Sequence, residues 1–330
     1  MAQPVAIDLF AGAGGFGLGF KMAGFSVPVS LEVDAWACDT LRYNHLNMVV
    51  LQEDIRNFNT LSSVTKIYSS KPDIIIGGPP CQGFSIAGPA VKDPKDPRNS
   101  LFQNFAQWIT FLEPKAFVME NVKGLLTRRS AEGEKVIDII KKTFTELGYF
   151  VEVWLLNAAE YGIPQIRERV FIVGNKIGKE LKPPRKTHSL ELVNKKTIQL
   201  SVFDTVNLLP ATTLWDAISD LPLLEAREGL EEQTFTAEPQ NEYQHWIRNY
   251  SKTLYNHVAM EHSERLVERF KHIKWGESSS DVPEEHGARR RSGNGDLSGI
   301  SYDQNNRRLH PYKPSPKKIL TENIGMSKTM

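Results

Sequence analysis

Along the first half of the chain, short apolar runs alternate with amphipathic stretches, a pattern that predicts buried strands covered by helices. Val5-Ala6-Ile7-Asp8-Leu9-Phe10 reads as the first strand. A glycine-rich turn, Ala11-Gly12-Ala13-Gly14-Gly15-Phe16-Gly17, follows it, and Leu18, Phe20, Met22 and Ala23 then carry helical spacing. Further strands are expected at Pro28 to Leu31, Met48 to Leu51, Ile74 to Ile76, Ala116 to Met119 and Val151 to Leu155, with a helix over Glu132 to Leu147 and an extended segment within Tyr161 to Val173. Strand, glycine turn and helix in succession predict the opening of an α/β, Rossmann-like domain over residues 1–178. Beyond Gly174 the pattern breaks into short mixed segments without a repeat, so residues 179–330 read as a smaller, irregular domain. Within it Thr213 or Asp216 is expected to cap a short helix, and His262 to Ile273 has helical apolar spacing with alternating charges.

Composition narrows the class. The 330 residues are 40% hydrophobic and 24% charged, with a net charge of +1, so any nucleic-acid surface has to be a local patch. No apolar run reaches the roughly 20 residues of a membrane span, which sets the expectation of no membrane and a cytoplasmic protein. Two cysteines, Cys38 and Cys81, supply neither a disulfide framework nor a zinc site. Cys38 lies in an amphipathic segment and reads as a small core residue.

The polar residues that interrupt the pattern gather at strand exits, where α/β proteins place their chemistry. Glu32 stands about 20 positions after the glycines, where such folds hydrogen-bond ribose hydroxyls, and Glu53-Asp54-Ile55 follows the third strand. The glycine spacing leaves a dinucleotide open, whereas Asp8 would repel a pyrophosphate and attract a cationic ligand, and Phe10 can cover a flat base. Gly77-Gly78-Pro79-Pro80-Cys81-Gln82-Gly83-Phe84-Ser85 ends the fourth strand on a loop where helix and sheet are both disfavoured. Cys81 there is either a structural thiol or a nucleophile, the latter only as thiolate. The proline-interrupted stretch from Ala87 to Arg98 has the composition of a lid. Glu120 is expected at the exit of the fifth strand, either as a general acid or as a helix-start carboxylate. Period-two alternation predicts that Gln165, Arg167 and Arg169 share one face of an extended segment, suited to an anionic or carbonyl-rich substrate.

Taken in order, Asp8-Leu9-Phe10-Ala11-Gly12-Ala13-Gly14-Gly15, the Gly77 to Ser85 stretch, Glu120-Asn121-Val122 and Gln165-Ile166-Arg167-Glu168-Arg169 closely resemble the DNA (cytosine-5)-methyltransferases of bacterial restriction–modification systems. The resemblance covers residues 1 to about 175 and implies a Rossmann-like methyltransferase domain with a mixed, mostly parallel sheet. It implies S-adenosyl-L-methionine as cofactor, bound by Phe10, Ala11, Gly12, Gly14, Glu32, Val33, Asp54, Ile55, Pro80 and Leu101. It implies catalysis by Cys81, Glu120, Arg167 and Arg169, double-stranded DNA as partner, and a target base flipped out of the duplex. Gln82, Ser85 and Gln165 are expected at the DNA.

The second half carries fewer signals. Lys179 to Lys186 is basic and contains prolines, and Arg289-Arg290-Arg291-Ser292-Gly293-Asn294-Gly295 either meets phosphates and guanine edges or is a solvated charge run. The resemblance places target recognition in this half. Near the end, Lys317-Lys318-Ile319-Leu320 replaces the threonine-rich continuation seen in the family, and its later arginine- and leucine-rich helix is not found. The expectation is therefore either a second polypeptide that supplies those segments or a truncated, inactive DNA-binding homologue. An NAD-dependent oxidoreductase remains as the reading that the glycine turn alone supports.

Overall fold

The protein is described here by a computed structural model, which describes residues 3–57, 64, 70–80, 101–130, 133–190, 208–249, 251–273 and 282. It divides into two compact units, residues 1–219 and 220–330. Strands β1 (Val5–Leu9), β2 (Ser26–Glu32), β3 (Val49–Gln52), β4 (Ile74–Gly77), β5 (Ala116–Val122), β6 (Phe150–Asn157) and β7 (Glu168–Asn175) form one seven-stranded sheet in the order β3-β2-β1-β4-β5-β7-β6. The first five strands pair in parallel, and β7 lies antiparallel to both β5 and β6. The sheet is therefore mixed and mostly parallel, as the resemblance implies.

Alternation along the central strands sorts two cores. Ile7, Leu9 and Ile75 join one cluster, and Ala6, Ile74 and Ile76 the other. The first cluster is closed by helices α3 (Leu101–Leu112) and α4 (Val136–Glu146). Phe102, Phe105, Ala106, Ile109 and Leu112 repeat at helical spacing and are buried on one face of α3, and Ile137, Ile140 and Phe144 do the same on α4. Their rings meet Phe117 of β5, whose centroid lies 4.1 Å from Phe144 and 5.2 Å from Tyr149. The second cluster is closed by α1 (Gly15–Met22) and α2 (Ala35–Asn44), through Phe16, Phe20 and Leu41. Strand order reverses between β1 and β4, which opens a crevice at their carboxyl ends.

After β7 the chain stays with the first unit past residue 178. Tyr161 Oη donates to Pro184 O at 3.1 Å, and β8 (His188–Ser189) pairs in parallel with β9 (Leu209–Pro210). Helix α5 (Leu214–Ile218) follows, opened by a capping box in which Thr213 and Asp216 bond reciprocally. The change of composition at 178–179 and the boundary between the compact units at 219–220 are thus separate features. The second unit contains an antiparallel pair, β10 (Gly229–Thr234) and β11 (Thr253–Val258), with α6 (Glu242–Arg248) between them and α7 (Glu264–Lys271) after. Polar contacts hold it: Arg248 Nε donates to buried Asp220 at 2.9 Å while its guanidinium lies 4.0 Å from the Phe235 ring. No helix among the described residues is long and apolar enough to cross a membrane.

Candidate active site

The carboxyl ends of β1 to β4 and the start of α3 enclose a pocket of about 260 Å³ lined by Phe10, Leu31, Glu32, Val33, Glu53, Asp54, Ile55, Arg56, Gly78, Pro80 and Leu101. Phe10, Glu32, Val33, Asp54, Ile55, Pro80 and Leu101, all among the residues that the resemblance implies for the cofactor, line this one pocket. The pocket's apolar walls suit a flat base, and its carboxylates suit hydroxyl and amino donors.

Glu32 and Asp54 at this rim are fixed by local bonds. Phe10 leaves β1 at φ 58°, a left-handed conformation costly for a non-glycine residue. The turn it begins is closed by Ala11 N–H donating to Leu31 O at 3.1 Å and Gly14 N–H donating to Ala11 O at 2.9 Å. Glu32 Oε2 accepts the Gly12 N–H at 2.8 Å, while its Oε1 accepts those of Val33 and Asp34 at 2.8 and 2.9 Å. Ala11, Gly12 and Gly14 therefore build the turn beside the pocket rather than its lining. Gly14, the N-cap of α1 at φ 95°, has no room for a side chain because Leu41 and His45 pack against it. Asp54 is gripped by Arg56, whose Nε lies 2.9 and 3.0 Å from the two carboxylate oxygens. That hydrogen bond holds the Asp54 carboxyl below the usual carboxylate range.

Asp8 corrects one expectation. Rather than facing a cationic ligand, it is buried under α1 and accepts the Gly17 N–H at 3.0 Å, a position open only because Gly17 has no side chain. Burial pushes its carboxyl up to about 7, with Glu32 adding to the rise and the Gly17 bond and Lys21 opposing it. Cys38 is buried, as expected; burial raises its thiol to about 11, and its Sγ lies 3.4 Å from Glu32 O.

Beside the pocket, β5 and β7 bring a second group together. Glu120 Oε1 lies 2.8 Å from Arg169 Nε, both partly exposed. Glu120 does not lie past the strand's exit: β5 runs on to Val122 because β7 continues the pairing to Arg169. A side chain at Gly78 would crowd Glu120 Oε2, so the glycine lets the β4 exit pass close to this carboxylate. Buried Asn121 donates from Nδ2 to Pro79 O at 3.0 Å and thereby fixes the stem from which Cys81 departs. Cys81, Gln82, Ser85, the stretch from Ala87 to Arg98, and Arg289, Arg290 and Arg291 lie outside the described residues.

The shared face expected for Gln165, Arg167 and Arg169 does not form. Only Arg169 is in β7; Gln165 and Arg167 are exposed in the turn before it. Gln165 N–H donates to Ile163 O at 2.7 Å, and the turn is closed by Ala158 N–H to Arg167 O at 3.0 Å and Arg167 N–H to Asn157 Oδ1 at 3.2 Å. These local bonds interrupt the alternation. Leu31 and Arg56 in the pocket were not singled out from the sequence, and Glu53, Gly78 and Asn121 were named only as members of longer stretches without a role of their own. For Asn121 the signal was its place between Glu120 and the strand pairing; for Arg56 it was the cation two residues beyond Asp54.

A family model described as C-5 cytosine-specific DNA methylase matches residues 5–323. The Type II methyltransferase M.DdeI of Desulfomicrobium norvegicum is 45% identical over 310 residues, which are 94% of this chain and 70% of that protein. The Type II methyltransferase M1.HphI of Haemophilus parahaemolyticus is 36% identical over 279 residues, covering 84% of this chain and 63% of its own length. Among solved structures, a candidate DNA modification methyltransferase encoded within an E. coli prophage superposes with a TM-score of 0.62 at 27% identity, covering 84% of this chain and 77% of that one.

Proposed function

Since the chain belongs to the C-5 cytosine-specific DNA methylases, we propose that it transfers a methyl group from S-adenosyl-L-methionine to C5 of a cytosine flipped out of duplex DNA. Cofactor binding is assigned to the pocket at β1 to β4. Phe10, Leu31, Ile55, Pro80 and Leu101 offer an apolar slot for the adenine, Glu32 and Glu53 face hydroxyl donors, and Asp54 is fixed by Arg56. When bound, S-adenosyl-L-methionine supplies an electrophilic methyl group.

The chemistry assigned to the chain follows from the target carbon, a weak nucleophile until C6 is attacked. The Cys81 thiolate adds to C6, and the electron pair displaced from the ring double bond reaches N3 and O2. Glu120 is assigned as the proton donor to N3. Arg169, steered through its Nε by Glu120, and Arg167 offer donors to O2, interactions that strengthen as charge develops. After C5 is methylated, loss of the C5 proton to a base and expulsion of the Cys81 thiolate restore the aromatic ring. Gln82, Ser85 and Gln165 are assigned to the DNA around the vacated position, and the stretch from Ala87 to Arg98 to closure over the base. Target recognition is assigned to residues beyond 178, including Arg289, Arg290 and Arg291, and the enzyme to the cytoplasm, where the chromosome is its substrate.

The observation that carries this reading is the Glu120–Arg169 pair beside the Gly78-Pro79 stem that leads to Cys81. A duplex containing 5-fluorocytosine tests it, because fluorine at C5 blocks the final elimination and traps the adduct. With S-adenosyl-L-methionine the protein is expected to form a covalent complex stable to denaturation, and Cys81→Ser to form none and to transfer no tritiated methyl. A Cys81→Ser protein that transfers methyl at the parent rate overturns the mechanism.

A further inference from the structure

The antiparallel course of β7 carries the chain away from the catalytic edge. At the far end Lys176 N–H donates to Lys115 O at 2.9 Å, and Asn175 Nδ2 donates to Lys179 O at 3.0 Å. The chain then returns as a strap with neither helix nor strand until β8, and it is pinned again at the catalytic edge. There Tyr161 Oη donates to Pro184 O at 3.1 Å, Thr187 N–H donates to Glu160 O at 3.0 Å, and Lys186 Nζ meets Glu160 Oε1 at 2.6 Å. Gly162 has no room for a side chain because the His188 ring packs on it. All of these pins fall on the turn that also carries Gln165 and Arg167, so the returning strap is anchored a few residues from the proposed DNA contacts.

Pro183 and Pro184, the second itself pinned through its carbonyl, fix their own φ and push the residues before them toward extended backbone. An extended proline-rich chain has three residues per turn and a rise of about 3.1 Å, so positions three apart share an edge about 9 Å from one another. Lys182 and Arg185 stand in that relation. Both are exposed, and neither makes an ion pair with any described residue, whereas Lys186 on another edge is taken by Glu160. Two cations carried on a stiff, doubly anchored backbone lose side-chain but little backbone freedom on meeting a partner. Their spacing of about 9 Å, adjustable through two long side chains, suits neighbouring phosphates on one strand.

We propose that Lys182 and Arg185 on this strap form a phosphate clamp that grips the DNA backbone beside the target cytosine. The proposal rests on the reading of duplex DNA as the substrate. Such contacts position the duplex and carry no sequence information. Lys179 has the same charge and the same three-residue spacing, but its carbonyl is tied to Asn175 at the opposite end of the strap, which makes it the internal control.

The test is fluorescence anisotropy of a labelled mixed-sequence duplex over a salt series, with the parent, the Lys182→Gln/Arg185→Gln double variant and Lys179→Gln. Each phosphate contact contributes about 0.9 to the slope of log affinity against log salt, so the double variant is expected to lose about 1.8 from the slope and roughly tenfold in low-salt affinity. S-adenosyl-L-methionine binding by calorimetry and the melting midpoint stay at parent values, and Lys179→Gln keeps the parent slope. A double variant with the parent slope, or a control that loses as much as the double variant, overturns the clamp. A parent that binds no duplex removes the functional reading and the clamp together, whereas a normal parent slope untouched by the double substitution removes the clamp alone.

Discussion

The exits of the parallel strands and the exits of the antiparallel ones handle charge in opposite ways. At β1, β2 and β3 the carboxylates are occupied by their own neighbours: Glu32 by three backbone N–H groups, Asp54 by Arg56 and Asp8 by Gly17. At β5 and β7 the charges instead meet each other across the strand pair, Glu120 with Arg169, at a partly exposed spot. The first arrangement is a finished mould in which each acceptor is already oriented. In the second, a substrate has to interpose its own atoms between groups that now satisfy one another. Under the proposed function, the difference would separate binding, which profits from rigidity, from catalysis, which profits from groups whose interactions strengthen only as the reaction proceeds.

Substitutions on the two sides should separate accordingly, and the largest effect is expected at the antiparallel side. Glu120→Gln keeps the shape but cannot relay a proton to N3, so the single-turnover methyl-transfer rate is expected to fall roughly 10²–10³-fold. Cofactor affinity by calorimetry should stay put. A parallel loss of cofactor affinity would erase the division.

A smaller effect, of the other kind, is expected at Glu32. Glu32→Gln replaces one acceptor oxygen with a donor that faces backbone N–H groups. The turn at Gly12 should loosen, and affinity for S-adenosyl-L-methionine is expected to fall roughly 10–100-fold while the single-turnover rate at saturating cofactor is kept. A rate loss that persists at saturation would mean that the mould also shapes the catalytic edge.

Asp8 gives the smallest effect, confined to stability. Its folded carboxyl sits at about 7, above the ordinary value, so the folded protein holds a proton that the unfolded chain gives up. Parent stability should therefore decline as pH rises from about 4 to about 7 and level off beyond. Asp8→Asn stays neutral throughout, so its urea midpoint should gain on the parent's across that window, with equal methyl transfer. Equal midpoint differences at pH 5 and pH 8 would deny that the buried carboxyl titrates as stated.

The two sides also differ in how far the sequence reveals them. Contiguous apolar runs such as Ile74-Ile75-Ile76 announce parallel strands buried on both faces, and acidic residues just past them mark the pocket rim. The antiparallel side is harder because its order comes from pairing between distant segments. Nothing in the polar sequence Glu120-Asn121-Val122 says that β5 continues; that comes from β7, with Val122 opposite Arg169. Likewise, the period-two reading of Gln165 and Arg167 fails because Asn157, before the turn, captures the Arg167 N–H after it. Asp8 was misplaced for a related reason. Its depth depends on a glycine nine residues on, and hydropathy does not register the space that glycine leaves.

The strap tied to Lys115 at one end and to Glu160 at the other also acts as a ruler. A chain fixed at both ends and stiffened by Pro183 and Pro184 has a set span, so composition can drift along it far more freely than length. Removal of one residue would shorten an extended segment by about 3 Å and force one anchorage to let go. Whatever follows β8 would then start from a displaced origin. Substitutions there should be read as changes of surface, and insertions or deletions as changes of calibration.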